Sequence, residues 1–110
     1  MLDDPQLSPF QVSVYRALME VPRGRVISYK ALGQRIGCGS PQAIGQAMRS
    51  NPFAPEIPCH RVVGANGKIG GYLGATEGME VQSKIQLLAT EGVQINQDGY
   101  LTDFSLLLKR

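Results

Sequence analysis

Residues 57 to 63 read Ile-Pro-Cys-His-Arg-Val-Val and set the chain's one histidine, His60, directly after one of its two cysteines, Cys59. Cysteine attacks through its thiolate, and an isolated thiol at neutral pH is mostly protonated. An adjacent imidazole can take that proton, directly or through a water. Neighbours on an extended strand point to opposite sides, so a bridging water or a bend at Pro58 is needed to bring the two together. A carboxylate that fixes the imidazole tautomer would complete the set. Glu91, at the close of an apolar helix, is a candidate. The alternative is a packed strand with two incidental polar residues, in which Cys59 is a small buried hydrophobe and His60 a structural residue. The adjacent histidine and the rigid proline loop favour a nucleophile. Cys38, among glycines in a turn, reads as a packing residue or a surface thiol. One histidine and two cysteines fall short of the four ligands of a structural zinc site, so neither a metal nor another cofactor is expected.

The elements that must hold these residues are mostly helices. Ser8 caps a first helix with Pro9 at its first position, and Phe10, Val14, Leu18 and Val21 recur at helical spacing as a buried stripe before Pro22 and Gly24 stop it. A short extended piece follows. Ser28 then caps a second helix with Ala31, Leu32 and Ile36 on its apolar side, closed by Gly37. Ser40 and Pro41 repeat the start signal for a third helix carrying Ala43, Ile44, Ala47 and Met48. Two short helices joined by a glycine-bearing turn outline a helix-turn-helix, and the small residues Ala43, Gly45 and Ala47 would let the second approach a surface closely. Pro52, Pro55 and Pro58 predict a stiff, extended loop ahead of Cys59. Asn66-Gly67 predicts a hairpin turn between two short strands, a small wing. A last amphipathic helix runs from about Val81 to Glu91 with Val81, Ile85 and Leu88 in register. The fold class is therefore mainly α, a winged helix-turn-helix-like domain with a small β-hairpin wing. Residues 1–95 form the working domain, and residues 96–110 are a C-terminal extension that turns at Asp98-Gly99 and ends as a strand or a short helix.

At 110 residues the chain has room for one core. Its hydrophobic share of 43% suits a globule, and no apolar run approaches a membrane span. Two cysteines make no disulfide framework, which points to a reducing cytoplasm. The net charge of +2 is unevenly spread. Residues 21–70 hold seven basic side chains, Arg23, Arg25, Lys30, Arg35, Arg49, Arg61 and Lys68, against one acid, Glu56. Such a segment is either a solvated basic surface or a phosphate-binding face.

The run Asn-Pro-Phe-Ala-Pro-Glu-Ile-Pro-Cys-His-Arg-Val-Val, preceded by Ala-Met-Arg-Ser and followed by Gly-Gly-Tyr-Leu-Gly-Ala and Leu-Leu-Ala-Thr-Glu-Gly, resembles the active-site domain of the O6-alkylguanine-DNA alkyltransferases, the methylated-DNA–protein-cysteine methyltransferases. The likeness runs from about Ser8 to Glu91. It implies a monomer that binds double-stranded DNA containing O6-alkylguanine through the minor groove and flips the damaged base into a pocket. Cys59 would accept the alkyl group once and irreversibly, with His60 as the water-linked base and Glu91 orienting it. Asn51 would brace the loop under the site, and Tyr29 would give a proton to the departing guanine. Gln42, Ala43, Gly45, Met48, Arg49, Arg61, Val62, Tyr72 and Leu73 would contact DNA or the flipped base. Met48 and Val62 would line the pocket, with Tyr72 in the loop that covers the base. Such a protein would sit in the cytoplasm with the nucleoid, or in the nucleus of a eukaryote.

The chain departs from the family pattern in three places. Gln42 stands where an intercalating arginine is usual, the family's N-terminal domain is not found, and Leu73 follows Tyr72 where small residues are common. The rival reading within the family is an alkyltransferase-like protein that binds alkylated guanine without transfer and recruits other repair factors. Those proteins typically carry tryptophan in place of the cysteine, whereas this chain keeps Cys59 and has no tryptophan. A winged-helix regulator with an inert cysteine and a cysteine hydrolase are more distant rivals.

Overall fold

In the computed structural model, which describes residues 2–71 and 78–108, the elements run α1 (Pro9–Met19), β1 (Val26–Ser28), α2 (Tyr29–Arg35), α3 (Pro41–Arg49), a 3-10 turn (Cys59–Arg61), β2 (Val62–Val63), α4 (Met79–Thr90), a second 3-10 turn (Phe104–Leu106) and β3 (Leu107–Leu108). Serine caps three of the helices. Ser8 Oγ accepts from the Gln11 amide while the Gln11 side chain accepts from the Ser8 amide, a reciprocal box. Ser28 and Ser40 accept from the amides of Ala31 and Ala43. The turn joining α2 to α3 folds back over α2, with the Cys38 amide donating to the Gly33 carbonyl. A Cβ on Gly33 would come within 2.5 Å of the Cys38 carbonyl oxygen, so that position must be glycine for the two helices to pack.

Helices α1, α2 and α3 enclose a core of Val14, Tyr15, Leu18, Ile27, Leu32, Ile44, Ile57 and Val62, and Cys59 belongs to it. The stripe expected on α1 holds at Val14, Leu18 and Val21, and only Phe10 departs from it. Val14, Tyr15 and Leu18 are buried, but Phe10 is 36% exposed, because it stands on the first turn and only flanks a groove with Ala43 and Ala47 of α3. Tyr15 is wholly buried, and its hydroxyl donates to the Ala47 carbonyl, tying α1 to the last turn of α3.

The three strands form a parallel sheet in the order β2-β1-β3, with Ile27 opposite Val62 on one side and Leu108 on the other. This corrects the expected hairpin wing. The turn at Asn66-Gly67 does form, closed by Gly64 N–H to the Lys68 carbonyl, with Gly67 at φ +83. Its two flanks do not form a ladder with each other. Val62–Val63 joins β1, while Lys68 pairs antiparallel with Tyr100 in the C-terminal segment. A hairpin turn in the sequence fixes a local reversal and leaves the strands' partners to tertiary competition. The C-terminal segment folds onto the core. Val93, Leu101 and Leu107 bury themselves with Val26, Val63 and Leu88 in a second cluster, and Arg25 donates to the Ser105 carbonyl at 2.7 Å.

The proline-rich loop is also tighter than expected. Residues 52–57 follow one another in turns, and Cys59–Arg61 is a helical turn capped by Pro58. Proline is excluded from helix interiors but is compatible with a turn's first position, where no amide donor is required.

Candidate active site

The bend at Pro58 sets the site's geometry. At three residues per turn, Cys59 and His60 diverge by about 120° instead of the half-circle of a strand, and both face inward. Cys59 is 4% and His60 2% exposed. The loop is held by Asn51, whose side-chain amide donates to the Ile57 carbonyl at 2.9 Å and whose oxygen accepts from the Phe53 amide at 3.0 Å. That buried amide spans the whole proline segment.

His60 Nε2 lies 3.0 Å from Glu91 Oε2. Glu91 follows the last turn of α4, and its two oxygens also accept from Arg61, Nε to Oε1 and Nη2 to Oε2, each at 2.9 Å. Arg61 Nη1 donates to the Val21 carbonyl. Burial alone would raise the Glu91 carboxyl, but the hydrogen bonds from Arg61 and His60 outweigh it and hold the group below its usual range. Burial likewise keeps His60 below the ordinary imidazole value, the attraction of Glu91 only partly opposing it. An ionised carboxylate facing a neutral imidazole takes the Nε2 proton as its hydrogen bond. Nδ1 is then left as a lone-pair acceptor. Among the described residues Nδ1 is buried without a hydrogen-bond partner. Arg61, expected on the DNA side, is turned inward instead, because its planar fork fits a carboxylate bidentately and the nearest one is Glu91.

The Glu91 pairing has a measurable consequence. With its folded pKa depressed, its contribution to stability is complete above about pH 4.5, its ordinary value, and is lost as pH falls through the lower folded value. Glu91→Gln is expected to cost about 3 kcal/mol at neutral pH, because Arg61 is left half-paired in a buried setting. Urea unfolding of both proteins from about pH 7 to about pH 3 should show the gap closing only in the acid limb.

Sequence reasoning missed Lys84. It is fully buried, and its Nζ donates to three carbonyls, those of Ile69 at 2.5 Å, Val62 at 2.7 Å and Gly71 at 3.0 Å. Burial pushes its pKa down to about 7, with the neighbouring Cys59 sulfur pulling it back up. Three acceptors require three donors, so the geometry is that of an ammonium. The signal was a lysine falling in register with Val81, Ile85 and Leu88 on the buried stripe of α4. Tyr29 is held above its ordinary range by burial first and by Cys59 second, so its hydroxyl stays protonated as a donor. A charge on the Cys59 sulfur would be felt at Tyr15, Tyr29 and Lys84.

The remaining expected residues separate by element. Met48 and Val62 are buried in the core around Cys59. Gln42, Ala43, Gly45 and Arg49 lie on α3 toward solvent, and a Cβ on Gly45 would meet nothing within 4 Å. Tyr72 and Leu73 lie outside the described residues.

A thiol on a Pro-Cys-His-Arg turn, beside an imidazole oriented by a carboxylate and a buried ammonium, defines a cysteine-centred site on a small helical domain. Residues 9–93 match the family model described as 6-O-methylguanine DNA methyltransferase, DNA binding domain, and the chain belongs to that family. A curated relative from Saccharolobus solfataricus, a methylated-DNA–protein-cysteine methyltransferase, is 44% identical over 87 residues, which is 79% of this chain and 53% of the relative. A DNA base-flipping protein of Thermus thermophilus is 44% identical over 91 residues, 83% of this chain and 58% of that one. The chain thus spans about half the length of the curated relatives it matches. Among solved structures, the O6-methylguanine-DNA methyltransferase of Pyrococcus kodakaraensis superposes with a TM-score of 0.69 at 41% identity, covering 79% of this chain and 48% of that one. Schizosaccharomyces pombe Atl1, solved with damaged DNA containing O6-carboxymethylguanine, shares the fold, with a TM-score of 0.74 at 23% identity over 96% of this chain and 99% of its own.

Proposed function

We propose that the protein repairs DNA by moving an alkyl group from O6 of guanine to its own Cys59. The observation that carries this reading is a buried histidine, next in the chain to the buried cysteine, whose Nε2 is held by a carboxylate. Glu91 fixes the His60 tautomer so that the unpartnered ring nitrogen, Nδ1, belongs to the residue next to the cysteine. One water between them would carry the thiol proton to Nδ1. The sulfur then attacks the alkyl carbon in line, the new S–C bond forms and the carbon–O6 bond breaks. The bonding electrons leave on the guanine, which takes a proton from the Tyr29 hydroxyl. Exchange with solvent returns a proton to Tyr29 and removes one from His60. Water does not cleave the resulting thioether, so each molecule acts once. The Lys84 ammonium favours the thiolate electrostatically before attack.

The target atom is inaccessible inside a duplex, so the base must swing out, at a cost of a few kcal/mol. In this reading α2 and α3 act as a helix-turn-helix whose second helix enters the minor groove. The small, half-buried residues of α3, Ala43 and Gly45, permit close approach, and Gln42 fills the gap left in the stack. Arg49 contacts phosphate, Met48 and Val62 form the pocket wall, and Tyr72 and Leu73 cover the base. The domain works as a monomer wherever the DNA is. The DNA complex of Mycobacterium tuberculosis OGT, 39% identical over 78% of this chain with a TM-score of 0.70, supports a DNA-facing role for this fold.

Damage recognition without transfer is the second reading, favoured by the 44% identity to the DNA base-flipping protein of Thermus thermophilus. Intact mass of the protein, measured after mixing with duplex containing O6-methylguanine, separates the two. Transfer predicts one added methyl per molecule and no further gain on a second dose of substrate. Binding with no mass change supports the damage-recognition reading, and repeated turnover contradicts both.

Gln42 yields a finer test. Glutamine is shorter than arginine and uncharged, so it holds the emptied stack less firmly and forgoes attraction to phosphate. Gln42→Arg is expected to speed repair of duplex about threefold or more, the worth of one exposed charge contact of about 0.7 kcal/mol. Reaction with free O6-benzylguanine should not change. Equal acceleration of both substrates would show that Gln42 acts on chemistry and not on the duplex.

A further inference from the structure

We propose that the C-terminal segment, residues 96–104, is the positioning element for the Gly67–Gly71 loop and, through it, for the Tyr29 hydroxyl; this rests on the transferase reading. The family match ends at residue 93, so this segment lies beyond it. It is nonetheless bonded to the loop that reaches Tyr29. Asn96 closes a tight reversal, with its side-chain oxygen accepting from the amides of Asp98 and Tyr100 and its own amide donating to the Tyr100 carbonyl. Ile95 pairs antiparallel with Leu101, which makes the reversal a small hairpin.

The outer edge of that hairpin grips the loop. The Leu101 amide donates to the Gly67 carbonyl, and the Ile69 amide donates to the Gly99 carbonyl, each at 2.8 Å. The ring of Phe104 lies against Gly67 so closely that a Cβ there would stand 2.7 Å from it. From the opposite side Lys84 binds the carbonyls of Ile69 and Gly71. Between these two grips stands Gly70, at φ +68, whose added Cβ would come 3.4 Å from the Tyr29 hydroxyl oxygen. The loop is thus pinned on one side by α4 and on the other by the C-terminal hairpin, at the point where it meets the proposed proton donor. Loosening the hairpin side leaves the contacts of Glu91 with His60 and Arg61 in place, since none of those hydrogen bonds passes through it.

Phe104 is 51% exposed, so Phe104→Ala removes the contact on Gly67 at little cost to the core. The expected result is a five- to tenfold slower transfer from free O6-benzylguanine, about 1 kcal/mol in the barrier, with iodoacetamide alkylation of Cys59 unchanged within twofold. Amide exchange at Gly70 and Gly71 should quicken about tenfold over the wild type. Asn96→Ala, which loosens the same hairpin from its tip, should reproduce the pattern. Unchanged transfer in both variants overturns the proposal. So does a parallel fall in transfer and in iodoacetamide reactivity, which marks general destabilisation. If the wild type itself transfers nothing, the transferase reading fails. The exchange measurement then decides the proposal alone, with quickened exchange supporting a positioning role and unchanged exchange removing it.

Discussion

Cys59→Ala is expected to abolish alkyl transfer entirely while leaving the affinity for duplex containing O6-methylguanine within about threefold of wild type. The sulfur is the acceptor in the proposed reaction, and no neighbouring group replaces it. Cys38, the other thiol, sits in the turn between α2 and α3, with its sulfur directed to the Ser40 carbonyl. The substitution removes one buried heavy atom from a packed core, a loss of about 1 kcal/mol that the fold should tolerate. Binding is assigned to the solvent-facing side of α3, where Gln42, Gly45 and Arg49 stand, and truncation at Cys59 does not reach it. Single-turnover assays on methylated duplex, run beside a gel-shift titration, would read both quantities. Residual transfer onto Cys38 would show that proximity to DNA, and not the His60 environment, selects the sulfur.

The second large effect belongs to Lys84. Lys84→Met fills nearly the same volume without the charge, so the packing penalty is small. Three buried carbonyls, those of Val62, Ile69 and Gly71, lose their donor. Since each unsatisfied group costs about 1–3 kcal/mol, the expected net loss is about 3 kcal/mol after relaxation. Reactivity should fall further than stability explains, because a thiolate at Cys59 loses its buried positive neighbour. The pH dependence separates the two effects. Lys84 titrates at about 7, so the wild type surrenders its ammonium as pH rises past that value, and the support it gives the thiolate fades there. The wild type should therefore outpace the variant most below about pH 7 and converge with it above, measured as iodoacetamide alkylation rate against pH at a temperature where both proteins are folded. An identical profile in the two proteins would detach Lys84 from the thiol.

How much of this was legible in the sequence follows the range of the interaction concerned. Helix starts are local, and Ser8, Ser28 and Ser40 each cap a helix beginning at the next residue. Reactive neighbours such as Cys59 and His60 are equally local, and Glu91 stood out as a carboxylate at a helix end. The partner of a strand is a long-range choice, however. Lys68 chose Tyr100, 32 residues away, over the far side of its own turn, and no periodicity within residues 62–71 encodes that. Three prolines suggest extension because proline forbids helix interiors, yet the same fixed φ suits the first position of a turn, and Pro58 occupies one. Arg61 looks like part of the basic surface because charge along a chain does not say which way a side chain points. Lys84 is not legible, because a single charge within an apolar stripe looks like noise until the carbonyls that receive it are seen.

The most direct test of the central claim is to find where the carbon goes. After reaction with duplex carrying isotopically labelled O6-methylguanine, the protein is digested and its peptides are mapped by mass spectrometry. The account predicts one label per molecule, on the peptide containing Cys59 and on its sulfur, with unmodified guanine left in the DNA. Label on Cys38, label on no residue, or guanine restored without any label in the protein would contradict it.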